Sequence, residues 1–323
     1  MHYKKWIILL FAVSTLMYGS IFLLYLVVDP EQIFNKSITK YKFGYTKYYS
    51  KHQYEKLKSH KYILIFGTSR SQALSSKELG EPLLNFHNIY GEPGDILNFL
   101  KQLDKQQIQN TKHIYYLVSL DTMRNDINLL DYSVYTIWDE VAEAFPLGNL
   151  SLKYLMRDII NNIRRKSIYY YVDDDGSQFI YDKNKTTVLN RTVKQSFNIN
   201  LKKSKSIETL LKIDTFCKKV GIKITYYTPT YTNKYTLQKE QLFFMWKQLL
   251  QGGIDGFYAL YYLNGTSNEV IGKRYTKFLD ASHLNYYNMN KVFKNIVLDE
   301  DSKYKIKDEQ TLVEYFNKMK EVK

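Results

Sequence analysis

The sequence predicts an α/β protein, a three-layer α/β/α sandwich around a mainly parallel sheet, preceded by one N-terminal transmembrane helix. Three observations carry this expectation. Trp6 to Val28 is an uncharged, mostly apolar run, and at about 1.5 Å per residue a helix of that length crosses a bilayer. Tyr62-Ile63-Leu64-Ile65-Phe66 then leads without a polar break into Gly67-Thr68-Ser69, the pattern of a buried parallel strand ending in a tight turn. Further on, short apolar runs alternate with stretches of helical spacing, as strand–helix repeats do.

At 323 residues the chain can bury one large α/β core. The expected organisation is an anchor at 1–28, a stalk at 29–61 that folds back onto the domain, an α/β domain at 62–300 with an insertion at 131–204, and a tail helix at 301–323. The anchor is expected to be retained, because no Ala-x-Ala pattern precedes Asp29 and the apolar run exceeds that of a signal peptide. Lys4 and Lys5 before it, with Asp29 and Glu31 after it, argue for a cytoplasmic N-terminus, whereas Lys36, Lys40, Lys42 and Lys47 argue the reverse. Charge leaves the orientation open.

The net charge of +14 raises a nucleic-acid reading. The lysines are spread along the chain without a basic helix, zinc-finger spacing or RNA-binding signature, so no nucleic-acid partner is expected. A diffuse basic surface suits anionic membrane lipid or acidic envelope polymers. The lone Cys217 excludes an intrachain disulfide and falls in an apolar-periodic helix, and six scattered histidines give no ligand spacing. Neither a metal nor another cofactor is expected.

Taken in order, the strands and helices read as follows. After the strand at 62–66, residues 71–79 predict a short helix whose N-terminus points at Ser69. A second strand at 86–90 leads into Gly91-Glu92-Pro93-Gly94-Asp95, and Ile96, Phe99, Leu100 and Leu103 then recur at helical spacing. The third strand spans 113–120 and ends in Ser119-Leu120-Asp121-Thr122. In the insertion, 137–144 and 152–163 read as amphipathic helices, and 168–172 with 179–181 as a hairpin around a solvated Asp173-Asp174-Asp175-Gly176 turn. Three aspartates without the rest of a calcium loop do not predict calcium. A helix at 206–219 stopped by Gly221, a strand at 222–228 broken by Pro229, a helix at 237–250 and a last core strand at 254–260 follow. Residues 287–297 read as a helix, and 309–322 as a charged amphipathic helix on the outside.

Two distant pieces of chain carry chemistry. Ser69 lies just past the carboxyl end of the first strand, the edge where open α/β sheets bind ligands. Asp280-Ala281-Ser282-His283-Leu284 offers an imidazole with a carboxylate three residues before it, the remaining parts of a Ser-His-Asp relay. Each alone has an ordinary explanation, a helix cap or a surface turn. His2, His52, His60, His87 and His113 lack a carboxylate in that relation.

Together, and in this chain order, Gly67-Thr68-Ser69-Arg70 and Asp280-Ala281-Ser282-His283-Leu284 resemble the SGNH (GDSL-like) hydrolase superfamily. With Val28-Asp29-Pro30 after the hydrophobic segment, the likeness is to its membrane-anchored bacterial branch, the DltD-like and alginate-acetylation-like proteins. The resemblance implies an extracytoplasmic serine esterase or O-acyltransferase acting on a cell-envelope glycan, in which Ser69 is the nucleophile, His283 the base and Asp280 its orienting carboxylate. It also implies, as partner, a multi-span membrane acyltransferase. Oxyanion donors would be the backbone N–H of Ser69 and of Gly94, with Gly91 as the alternative glycine. The family's third block, Gly-x-Asn-Asp, has no good counterpart: the Asn-Asp pair is Asn125-Asp126, late and without the glycine. Asp121 either positions substrate or caps a helix, Arg70 either binds an anionic acceptor or pairs with a carboxylate, and Thr228-Pro229-Thr230-Tyr231, at the same carboxyl edge as Ser69, is expected to line the cleft. The rival expectation is a catalytically inactive glycan-binding or assembly protein on the same fold.

Overall fold

The computed structural model describes residues 2–28, 53–87, 91–123, 156, 159–160, 163, 170–173, 175–180, 193–194, 201, 205–231, 235–261 and 284–320. Its chain divides into two compact units, Met1–Tyr49 with Thr136–Val172, and Ser50–Tyr135 with Asp173–Lys323. In chain order the elements are α1 (His2–Val28), β1 (Tyr62–Gly67), α2 (Ser76–Leu79), β2 (Leu83–His87), α3 (Pro93–Gln102), α4 (Lys105–Asn110), β3 (Thr111–Leu117), β4 (Tyr170–Val172), β5 (Gln178–Ile180) and β6 (Val193–Lys194). Then come α5 (Ser206–Val220), β7 (Ile224–Tyr227), β8 (Tyr235–Thr236), α6 (Lys239–Gln251), β9 (Phe257–Tyr258), α7 (Tyr286–Val292), β10 (Lys305–Ile306) and α8 (Glu309–Lys320).

In the first unit, α1 is one helix long and apolar enough to cross a membrane by length and composition, with a mean hydropathy of 2.3 over its best window. Thr15 and Ser20 turn their hydroxyls back onto the Phe11 and Leu16 carbonyls, so neither presents an unbonded donor to its surroundings.

The second unit is built on a six-stranded sheet in the order β2-β1-β3-β7-β9-β10. The first five strands are parallel and β10 runs antiparallel on the edge beside β9. Counted by themselves, the five parallel strands have the 2-1-3-4-5 order of flavodoxin-like sheets, whose switch point lies between β1 and β3. Alternation along the strands divides their packing. Phe66, Phe86 and Tyr116 join an apolar cluster with Phe99 of α3, Ile213 of α5 and Trp246 of α6. Tyr115 and Tyr227, at alternate positions, instead meet the ring of Phe293, in the wide π-type turn Phe293–Leu298 that prolongs α7.

The helices start and stop where the local chemistry allows. Pro93 supplies the first residue of α3, where its missing N–H costs nothing. Asp104 and Gln107 form a reciprocal capping box on α4. Gly221 ends α5 in the left-handed conformation at φ +77°.

Several expectations are corrected. No helix spans 71–79: residues 69–73 form turns, and α2 begins only at Ser76, capped by the Ser75 hydroxyl. Serine-rich sequence of this kind bonds its own backbone outside helices. The second strand begins at Leu83, three residues before the expected start, with residues 88–90 outside the described ones, and the last parallel strand shrinks to Phe257–Tyr258. A short antiparallel strand, β10, was not foreseen, because two residues carry no periodicity. Gly176 and Ser177 are buried, so the turn after β4 is not solvated throughout. Helix α8, by contrast, is the outer amphipathic helix expected, with Leu312, Phe316 and Met319 buried and most of its other residues exposed. The end of the stalk also folds back as expected: Gln53, Tyr54 and Leu57 are buried, with Tyr54 edge-on to Phe99. The helix expected at 137–144 lies outside the described residues.

Candidate functional site

Strand β1 delivers the serine turn to the carboxyl edge of the sheet through Gly67. A side chain there would meet Leu117 Cβ and Ser71 Oγ at 2.8 Å, and φ is +153°, so the position demands glycine. The chain then reverses: Ser71 donates both its N–H and its hydroxyl to the Thr68 carbonyl, at 2.8 and 2.9 Å. Ser69, at the crest of this reversal, is half-buried.

The backbone that follows is held from outside. Asn85, fully buried on β2, donates its amide to the carbonyls of Ser71 and Leu74, each at 2.9 Å. Gln178 N–H donates to the Gln72 carbonyl at 2.6 Å. Asn290, buried on α7, donates to the Ala73 carbonyl at 2.7 Å and accepts from Ser75 N–H at 3.0 Å. Asp175 accepts from Ser76 N–H at 2.6 Å and from Ser177 N–H at 2.8 Å. Burial raises the Asp175 pKa in spite of these bonds. Gly176 beside it, at φ +84°, leaves room for Gln53 and the Asn85 carbonyl, which a side chain would strike at 2.2 and 2.5 Å.

Across the switch point, β3 ends in a 3₁₀ turn, Leu120–Thr122, closed by Thr122 Oγ1 donating to the Ser119 carbonyl at 2.7 Å. It presents Asp121, which accepts from the Ser119 hydroxyl and forms an ion pair with Arg70. Both partners are nearly buried, with 10% and 14% of the Arg70 and Asp121 side chains exposed. Burial pushes the Asp121 carboxyl upward, but the Arg70 charge and the Ser119 hydroxyl outweigh it and hold the group below the usual carboxylate range. The Arg70 guanidinium also lies 5.2 Å from the centre of the Tyr231 ring, beyond the end of β7. Arg70 is thus a carboxylate partner within the fold, and Asp121 is its counter-ion rather than a helix cap.

Gly91 lies against the same turn, since a Cβ added there would touch the Gly67 carbonyl at 3.6 Å and the Thr68 and Thr122 methyls at 3.7 Å. Tyr116 donates its hydroxyl to the Gly91 carbonyl at 3.2 Å. Gly94 is the second residue of α3, whose N-cap is Glu92, and not the residue before the helix. Its N–H is among those a helix start leaves without an intrahelical acceptor. Thr228 is fully buried, and its hydroxyl accepts from Leu260 N–H at 2.7 Å, bracing the ends of β7 and β9.

Asp280, His283 and Asn125 lie outside the described residues. The chain on either side of Asp280 and His283 is described. Before it, Tyr261 stacks on Tyr231 with 6.3 Å between ring centres. After it, Leu284 is buried and Asn285 caps α7, its side chain accepting from Asn288 N–H at 3.0 Å. Among the described residues, no three His, Cys, Asp or Glu side chains converge as a metal site would require.

Sequence reasoning missed Asn85, Asn290 and Asp175; Tyr231 was expected at this edge of the sheet, and its ring lies beside Arg70. A usable signal existed for Asn85 alone: an amide inside Leu83-Leu84-Asn85-Phe86 must be buried, and a buried amide must be bonded. No family model matches the chain, and no curated protein matches it either.

Proposed function

We propose that the protein is a membrane-anchored serine esterase or O-acyltransferase with an SGNH-like three-layer α/β/α sandwich. Its catalytic domain is extracytoplasmic, and its substrate is an ester on a cell-envelope polysaccharide. One observation supports the proposal: the half-buried Ser69 crests a braced turn at the β1/β3 switch point, and described residues that precede and follow 262–283 in the chain, Tyr261 and α7, are linked to that turn. On one side Tyr261 leads through Tyr231 to Arg70. On the other, α7 is bonded through Asn290 to Ala73 and Ser75.

In the proposed reaction the Ser69 hydroxyl oxygen attacks the ester carbonyl while His283 takes its proton. Asp280 orients the imidazole and balances its charge. The oxyanion is met by backbone N–H groups, those of Ser69 and Gly94, with Gly91 beside the turn as the alternative; each such donor contributes about 3 kcal/mol in other enzymes. His283 then returns the proton to the departing alkoxide. Water or a glycan hydroxyl attacks the acyl-enzyme by the same route, giving hydrolysis or transfer. A multi-span membrane acyltransferase is the proposed partner in the transfer case. Asn125 would be the third oxyanion donor.

The test is hydrolysis of p-nitrophenyl acetate by the full chain in detergent. Activity lost in both Ser69→Ala and His283→Ala supports the enzyme. A wild type without turnover favours the non-catalytic glycan binder, for which the missing Gly-x-Asn-Asp block is the sequence argument.

A further inference from the structure

The turn after Ser69 is held both from within and from outside. Within 68–74, Ser71 N–H donates to the Thr68 carbonyl and Leu74 N–H to the Ser71 carbonyl. The carbonyls of Ser71, Gln72, Ala73 and Leu74 take donors from β2, from β5 and from α7, the Ser71 carbonyl in addition to its bond within the turn. Two of those donors are side-chain amides, and their exposures are 0% for Asn85 and 3% for Asn290. Each amide is used at both ends. The Asn85 oxygen accepts from His87 N–H at 3.1 Å, while the Asn290 nitrogen also donates to the Tyr286 carbonyl at 2.9 Å. An amide has two N–H donors and one acceptor oxygen, so a carboxylate of the same shape would turn lone pairs toward lone pairs.

We propose that Asn85 and Asn290 are positioning residues that clamp the Ser69 turn between β2 and α7, fixing where the serine hydroxyl stands. The inference rests on the reading of Ser69 as the nucleophile. Neither residue has to touch substrate, because both act through the backbone of residues 71–75. Loss of either clamp lets the turn drift, and in positioned reactions a displacement of about 1 Å costs about a hundredfold in rate.

The experiment compares kcat and KM for p-nitrophenyl acetate in the full-length wild type, Asn85→Asp, Asn290→Asp and the remote core variant Leu249→Ala. The expected result is a fall in kcat of about ten- to a hundredfold in each Asn variant with KM within about twofold, and near-wild-type kcat in Leu249→Ala despite its lower stability. Should an Asp variant fail to fold, Asn85→Gln or Asn290→Gln, which keep donor and acceptor one methylene further out, replace it under the same criterion. Folded Asn variants with kcat no lower than Leu249→Ala overturn the clamp and leave the serine chemistry standing. A wild type without turnover overturns both, and the two failures are therefore distinct.

Discussion

Arg70, the residue next to Ser69, is ion-paired with Asp121 across the switch point of the sheet. The pair joins the ends of two neighbouring strands, and Tyr231 from a third lies beside the guanidinium. Breaking a buried pair by removing one partner costs about 3–5 kcal/mol, because the other charge is left uncompensated. Asp121→Asn should therefore destabilise the protein by about that much, and Arg70→Met with Asp121→Leu together by less than the single changes summed. A double-mutant cycle from urea melts checks this.

The same pair sets a sign for acid stability. The Asp121 pKa is lowered on folding. Its contribution is thus complete above about pH 4, where the unfolded carboxyl is already ionised, and vanishes only as the pH falls through the lower folded value.

Two histidines add a separate acid limb. Burial lowers the pKa of His87 to about 4. Burial, helped by Lys223, lowers that of His113 to about 4 as well. In the unfolded chain both titrate near 6.5, so between these values the unfolded state binds more protons. Stability is full above about pH 6.5 and falls toward pH 4, by about 2 kcal/mol per histidine at pH 5. Urea midpoints at pH 7.5 and pH 5 measure the fall, and His113→Gln should shrink it by about half.

Gly67→Ala should cost about 1–3 kcal/mol, since the new methyl group meets Leu117 and Ser71 at 2.8 Å. The strain falls on the turn that carries Ser69. Reactivity of Ser69 should drop along with the melting temperature.

Deleting residues 309–323 should leave an aggregating protein. Leu312, Phe316 and Met319 are all buried, and each large apolar side chain contributes about 1.5–3 kcal/mol when fully buried. Size-exclusion profiles of the full and shortened chains compare the two.

What the sequence disclosed follows from what is local. The β1 run, α5 and its Gly221 stop, and the α1 segment are written in consecutive residues and were readable as such. The clamp on residues 71–75 was not, because Asn290 lies 217 residues from Ala73 and nothing near Ala73 announces a donor. The helix expected at 71–79 failed for the same reason: outside partners claim the carbonyls that a helix would have used. The Arg70–Asp121 pair joins residues 51 apart, so the sequence left both side chains with open roles. Gly91, ranked behind Gly94, lies against the Ser69 turn, a proximity that no motif announced.

The most direct measurement of the central claim is intact-mass and peptide mapping after treatment with a fluorophosphonate. The account predicts a single adduct on the peptide carrying Ser69, absent in Ser69→Ala and strongly slowed in His283→Ala. An adduct on another residue, or none on a folded wild type, would contradict it.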